Sequence, residues 1–88
     1  MSNEPSSRYQ TVLASDVNQD GMSIDLFDTT QDKYVAEVFR SDRHHTITIS
    51  IFEKSLPLNV VHHLIETAYR RLDPFEDGTP LIAPTSPA

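Results

Sequence analysis

From Met22 to Asp28 the chain alternates. Met22, Ile24 and Leu26 fall on one side, and Ser23, Asp25 and Phe27 on the other. A period of two marks a half-buried strand. After the polar turn "DTTQDK", the run "YVAEVFR" (34–40) is rich in β-branched and aromatic residues and predicts a second strand. "SDRHH" turns the chain again. "TITISIFE" (46–53) is the clearest strand, with Ile47, Ile49 and Ile51 on one face and Thr46, Thr48, Ser50 and Phe52 on the other. "YQTVLA" (9–14) supplies a possible further strand.

Beyond Leu58 the period changes. Leu58, Val61, Leu64, Ile65, Ala68 and Leu72 recur at helical spacing. Pro57 suits the first turn, and Arg70 and Arg71 suit the last, where cations meet the negative end of the helix dipole. Asp73-Pro74 ends the element, because a residue before proline avoids the α region. The predicted fold is therefore α+β: an antiparallel β-meander of three or four strands, with one C-terminal α-helix packed on one face.

Keeping each face consistent sets a register. The core rows are Leu26–Ala36–Ile51, Ile24–Val38–Ile49 and Met22–Arg40–Ile47. The outer rows are Phe27–Val35–Phe52, Asp25–Glu37–Ser50 and Ser23–Phe39–Thr48. "TITISIF" ends the meander as an uncharged edge, flanked by Arg43, Glu53 and Lys54 as gatekeepers. Such an edge invites pairing with a second copy. The competing arrangement places the N-terminal strand beyond it.

The ends read differently. Residues 1–8 are polar and lack an apolar anchor, and residues 74–88 hold four prolines without periodicity. Both are expected to be unstructured tails around one domain over 9–73. About 65 residues make a small core, which oligomerisation commonly supplements. There is no cysteine, so disulfides and thiolate metal sites are excluded. The formal charge is -6. That argues against nucleic acid as a partner and favours a basic protein surface. No apolar run is long enough for a membrane span and no signal-peptide pattern opens the chain, so a cytoplasmic setting is expected.

Four features carry candidate chemistry. "DVNQDG" places Asp16, Asn18, Asp20 and Gly21 where an EF-hand loop begins. The match stops at the twelfth position, which is Phe27 instead of a bidentate glutamate. A turn into a strand, with Gly21 at positive φ, explains the same residues. The loop also shares its end of the sheet with Arg40, Arg43, His44, His45, Arg70 and Arg71, so its carboxylates are expected to face resident cations. The pairs His44-His45 and His62-His63 lie at opposite ends of the strand–helix unit, too far apart for one zinc site. His62 with Glu66 reads best as a helix-surface pair.

The outer sheet face is the third feature. Phe27, Val35, Phe39 and Phe52 would leave an apolar surface there, with Asp25 opposite Glu37. Exposed aromatics on a small protein point to a partner or to cover by the chain's own ends. Stacking on RNA bases is disfavoured by the neighbouring carboxylates. The edge strand is the fourth feature. There is no glycine-rich phosphate loop, nucleophile elbow or triad spacing.

The expectation is thus a non-enzymatic protein-binding or regulatory module without a cofactor. Its partner is another protein or a second copy of itself. An acidic inhibitor or immunity-type protein that blocks a basic partner fits the same features. A weak calcium-responsive module through 16–21 is the rival.

Overall fold

The computed structural model describes residues 8–16, 18, 20–72, 74–75 and 77–78. Four strands, β1 (Tyr9–Asp16), β2 (Gly21–Asp28), β3 (Lys33–Ser41) and β4 (Thr46–Ile51), precede one helix, α1 (Leu58–Arg71). The sheet is antiparallel throughout, in the order β1-β2-β3-β4. The meander is therefore four-stranded, and β1 and β4 are its edges.

Three hairpin loops, 17–20, 29–32 and 42–45, join the strands. Each ends on a residue in the left-handed region: Asp20 (φ 53), Asp32 (φ 56) and His45 (φ 55). Aspartate and histidine tolerate that region better than most side chains. Positive φ thus falls on Asp20 and not, as expected, on Gly21. Gly21 serves another need. A Cβ there would lie 2.2 Å from the Arg40 carbonyl oxygen and 2.6 Å from the Phe39 ring. Glycine lets the two strands and the aromatic ring approach closely.

Two loops are also closed by the last residue of the preceding strand. Asp28 Oδ1 accepts from the Thr30 N–H at 2.9 Å, and Ser41 Oγ accepts from the His44 N–H at 3.2 Å. Short polar side chains commonly bond the backbone a few residues on in this way.

The expected pairings Ile24–Val38, Leu26–Ala36, Val38–Ile49 and Ala36–Ile51 are all present. The register breaks at one place. Phe27 pairs with Tyr34, leaving Val35 as the extra residue of a β-bulge. Val35 and Ala36 are consequently both fully buried. Val35 belongs to the core, not to the outer face.

The core gathers Ile24, Leu26, Val35, Ala36 and Val38 from the sheet with Val60, Leu64, Ala68, Leu72 and Phe75. Burying one such side chain contributes about 1.5–3 kcal/mol. The helix is rolled relative to its expected stripe. Val60, Leu64, Thr67 and Ala68 are buried, whereas Leu58 is 83% exposed. Pro57 stands just before the helix, and its carbonyl accepts from Val60 and Val61.

The other helix end is tied down by Arg40. This buried guanidinium donates to the carbonyls of Leu72 and Pro74 and pairs with Asp42 at 3.0 Å. A cation on the last carbonyls complements the helix dipole.

Most of the two expected tails, 1–8 and 74–88, lies outside the described residues, and the described parts make contacts with the domain. Phe75 is buried, and its ring stacks on His45 with centroids 4.5 Å apart. Asp77 contacts His45 Nε2 at 2.7 Å. At the other end, the Arg8 carbonyl accepts from the Thr29 N–H at 2.7 Å.

Candidate functional site

Alternation places Gln10, Val12 and Ala14 of β1 on the outer face beside Phe27, Asp25 and Ser23 of β2. At one end of that face Phe27 and Tyr34 meet edge to face, with centroids 5.0 Å apart. Phe52 continues the alternation of β4 onto the same side, and its N–H donates to the Val35 carbonyl at 2.9 Å. Tyr34 is 49% exposed and Phe52 58%. The bulge has put Tyr34 in the outer row where Val35 was expected. The Phe27–Tyr34 pair and exposed Phe52 thus lie at the same β3–β4 corner of the outer face.

The other expected contacts are less open. Phe39 lies against Gly21 and is half-buried. Asp25 and Glu37 are cross-strand partners as expected, and both are half-buried. One oxygen of Asp25, Oδ1, is shielded from solvent without a hydrogen-bond partner. The pair is therefore not the hydrated, flat surface feature that alternation alone suggests.

Strand β4 differs from the other strands. No α1 Cα comes within 8 Å of a β4 Cα, although α1 packs on β1, β2 and β3. Ile49 and Ile51 point to the helix side yet remain 43% and 47% exposed. Between β4 and α1 runs an apolar groove of about 170 Å³, lined by Val38, Ile47, Ile49, Ile65 and Tyr69 among others. The roll of the helix turns Ile65 towards this groove instead of into the core.

Backbone polarity adds to the picture. The Phe52 N–H faces β3, so by alternation the peptide groups of Thr46, Thr48 and Ser50 face β3 as well. Those of Ile47, Ile49 and Ile51 face the open edge. The residues that offer an uncovered apolar row thus also offer the free strand edge.

A second hollow, about 300 Å³, lies at the far end of the outer face between Asn18, Phe39, Ser41, Arg43, His44 and Thr46. Asn18 and Asp20 lie in the β1–β2 loop, while the side chain of Asp16 falls outside the described residues. The Asp20 carbonyl accepts from the Asp42 N–H at 2.9 Å. Arg40, expected to face this loop's carboxylates, is instead committed to Asp42 and the helix end. Among the described residues no group of three or more His, Cys, Asp and Glu is placed to hold a metal ion. His62 Nδ1 contacts Glu66 at 3.0 Å across one helical turn, and His45 is engaged with Phe75 and Asp77.

Among the described residues the most strongly perturbed group is Asp28. It is fully buried and takes a bidentate contact from Arg8, at 3.0 and 2.9 Å. Arg8 holds this carboxyl well below the usual carboxylate range. Burial opposes the shift, and Gln31 and the Thr30 N–H reinforce it. Its role is structural, because it joins the start of β1 to the β2–β3 loop.

Comparison with known protein families, curated proteins and solved structures finds no match. No helix among the described residues is long and apolar enough to cross a membrane.

Proposed function

We propose that this chain is a non-enzymatic protein-binding module that engages its partner along the β4 margin. One observation carries this reading. Exposed large apolar side chains gather around one half-paired strand: Ile49 and Ile51 on the helix side of β4, and on the outer side Phe52, just past its end, and Tyr34 of the neighbouring β3. An edge strand with free peptide groups and flanking apolar pockets suits β-strand addition, in which main-chain bonds give affinity and side chains give specificity. The charge of -6 favours a basic surface on any different protein that binds the aromatic side of this margin, as the partner of an acidic inhibitor would have.

Capture from lysate of the native host tests the reading. The immobilised chain is compared with a Tyr34→Ser/Phe52→Ser variant. Both side chains are largely exposed, so the variant is expected to fold. The expected result is a partner retained by the native chain, lost from the variant, and released as salt rises. Identical capture by both chains, or no specific capture, refutes the proposal.

A further inference from the structure

We infer that a second copy of this chain occupies the β4 edge, paired antiparallel about a two-fold axis through Ile49. This rests on reading the β4 margin as the binding surface and names the partner of its helix side and edge.

The register follows from which groups are free. Only Ile47, Ile49 and Ile51 present both N–H and C=O to the open edge of β4. A two-fold axis at Ile49 sets Ile49 opposite the partner's Ile49 and Ile47 opposite the partner's Ile51. All three residues then lie in hydrogen-bonded pairs, so no edge group within the strand is left over. Moving the axis to Thr48 or Ser50 leaves one isoleucine facing a residue outside the strand.

Side-chain chemistry agrees with this register. An antiparallel two-fold of this kind keeps both helices on one side of a continuous eight-stranded sheet. The isoleucine rows therefore adjoin each other on that side, and the partner's Ile51 sits beside Ile47 at the mouth of the apolar groove. Thr46–Ile51 carries no charge, so self-pairing opposes no like charges within it. Just beyond the strand, the two-fold brings the turn that holds His44 and His45 to the end of the partner's β4, near the partner's Glu53 and the partner's Lys54.

Strand β1 is a poorer candidate for self-pairing. Its outward-facing residues are Tyr9, Thr11, Leu13 and Ser15, a row interrupted by hydroxyls, and α1 already packs on it. Pairing β1 of one copy with β4 of the next is heterologous and builds rings or open filaments, not a two-fold dimer.

The dimer sets Phe52 beside the partner's Thr46 and leaves the outer surface of the aromatic corners open to another protein. Phe27, Tyr34 and Phe52 lie on the outer face at one end of β4. The two-fold places the second set on the same outer face at the opposite end. Such a dimer is bivalent.

The test uses the full 88-residue chain in sedimentation equilibrium. The expected mass is twice 9.9 kDa. Ile49→Lys sets two cations opposite each other at the axis and is expected to raise the dissociation constant at least ~100-fold, with an unchanged circular dichroism spectrum.

Cysteine scanning reads the register, since the native chain has none. Hydrogen-bonded antiparallel partners have Cα atoms about 5.5 Å apart, within disulfide reach. Ile49→Cys alone should therefore cross-link on mild oxidation. Ile47→Cys and Ile51→Cys should cross-link only when mixed, because each lies roughly 13 Å or more from its own copy.

Three results overturn the inference: a single-chain mass at 100 µM protein, an open series of masses, or self-cross-linking at 47 or 51 without 49. A monomer that still captures a host protein through Tyr34 and Phe52 refutes the dimer and leaves the binding module standing. A dimer that captures nothing does the reverse.

Discussion

Strands β1 and β4 are the two edges of one sheet, and they are finished in different ways. At the start of β1 the Arg8 carbonyl accepts from both the backbone N–H and the hydroxyl of Thr29. The Arg8 guanidinium grips buried Asp28 and lies over the Tyr9 ring, 5.0 Å from its centroid. The helix packs across the same strand. Strand β4 has β3 on one side only. Its ends are held by an exposed contact of His45 with Asp77 before it and by a half-buried one of Lys33 with Glu53 after it. The difference shows where a small sheet stays open. One 14-residue helix reaches three strands, and the fourth keeps its apolar row in contact with solvent.

The comparison can be broken from the β1 side, where the largest effect is expected. Asp28→Ala removes the acceptor that holds Arg8, Thr30 and Gln31, and leaves a guanidinium without its carboxylate. The melting temperature should fall by roughly 10 °C or more, on the scale typical of domains this size. Arg8→Ala should cost less, because Asp28 keeps its bonds to the β2–β3 loop. Thermal unfolding followed by circular dichroism ranks the two. Equal effects would mean that the loop bonds contribute nothing.

Acid offers a second route to the same clamp. Arg8 lowers the folded-state pKa of Asp28 from the ordinary 3.8. In the unfolded chain the carboxylate takes up a proton as pH drops below that value, while in the folded chain it resists. Its contribution is therefore fully present above about pH 4 and is lost progressively as pH falls further, towards the folded-state value. Denaturant midpoints measured from pH 5 to pH 2 should decline more steeply in the native chain than in Asp28→Asn. Parallel curves would show that Asp28 is not a source of the acid sensitivity.

Much of this contrast was legible in the sequence, and the failures have physical causes. Alternation placed Ile24, Val38 and Ile49 in one row because a strand that buries one face tolerates no slip. The bulge at Val35 is not legible in the sequence, because Tyr34, Val35 and Ala36 are equally acceptable in a strand. Only three-dimensional pairing decides which of them is extra. A trace of it existed in Tyr34, an aromatic well placed to meet Phe27 once Val35 turned inward.

Arg40 offered a plainer signal. It is a lone cation in an apolar row, at the end where the helix carbonyls finish. Phe75 gave none, since it follows Pro74 without periodicity and is buried only because His45 and the helix end receive it. The candidate site was half legible. "TITISIF" identified the edge, but the helix's failure to cover it depends on a roll that places Val60 and Thr67 inward. The stripe Leu58–Val61–Leu64–Ile65 does not reveal that roll.

The sharpest test of the comparison makes the same change at both edges. Leu13 and Ile49 are similarly exposed, at 38% and 43%, and both point to the helix side. Lysine at either position keeps its stem on the apolar surface with the ammonium in water, so within a single chain each should cost about 1 kcal/mol or less, and Ile49→Lys should lose in addition the stability that dimerisation lends the native chain in a denaturant titration. Only Ile49→Lys should alter the mass in solution. If Leu13→Lys dissociates the assembly as well, the two edges are equivalent and β1 is also an interface.

The smallest expected effect on stability, and the most informative about function, belongs to the aromatic corner. Tyr34→Ser/Phe52→Ser removes two large exposed side chains that the core does not need, so unfolding should shift by about 0.5 kcal/mol or less per site. Phe27 loses its edge-to-face neighbour, and with Tyr34 49% exposed that contact stands at the low end of the range for aromatic pairs, about 0.5 kcal/mol. A larger loss would place Tyr34 and Phe52 among the residues that hold the bulge in place, and their exposure would then be a by-product of folding. A small loss with normal dimerisation would show that the corner is dispensable to the fold and to the β4 pairing alike. Retaining two broad, solvent-facing rings at one end of an open strand would then be explained by contact with another protein.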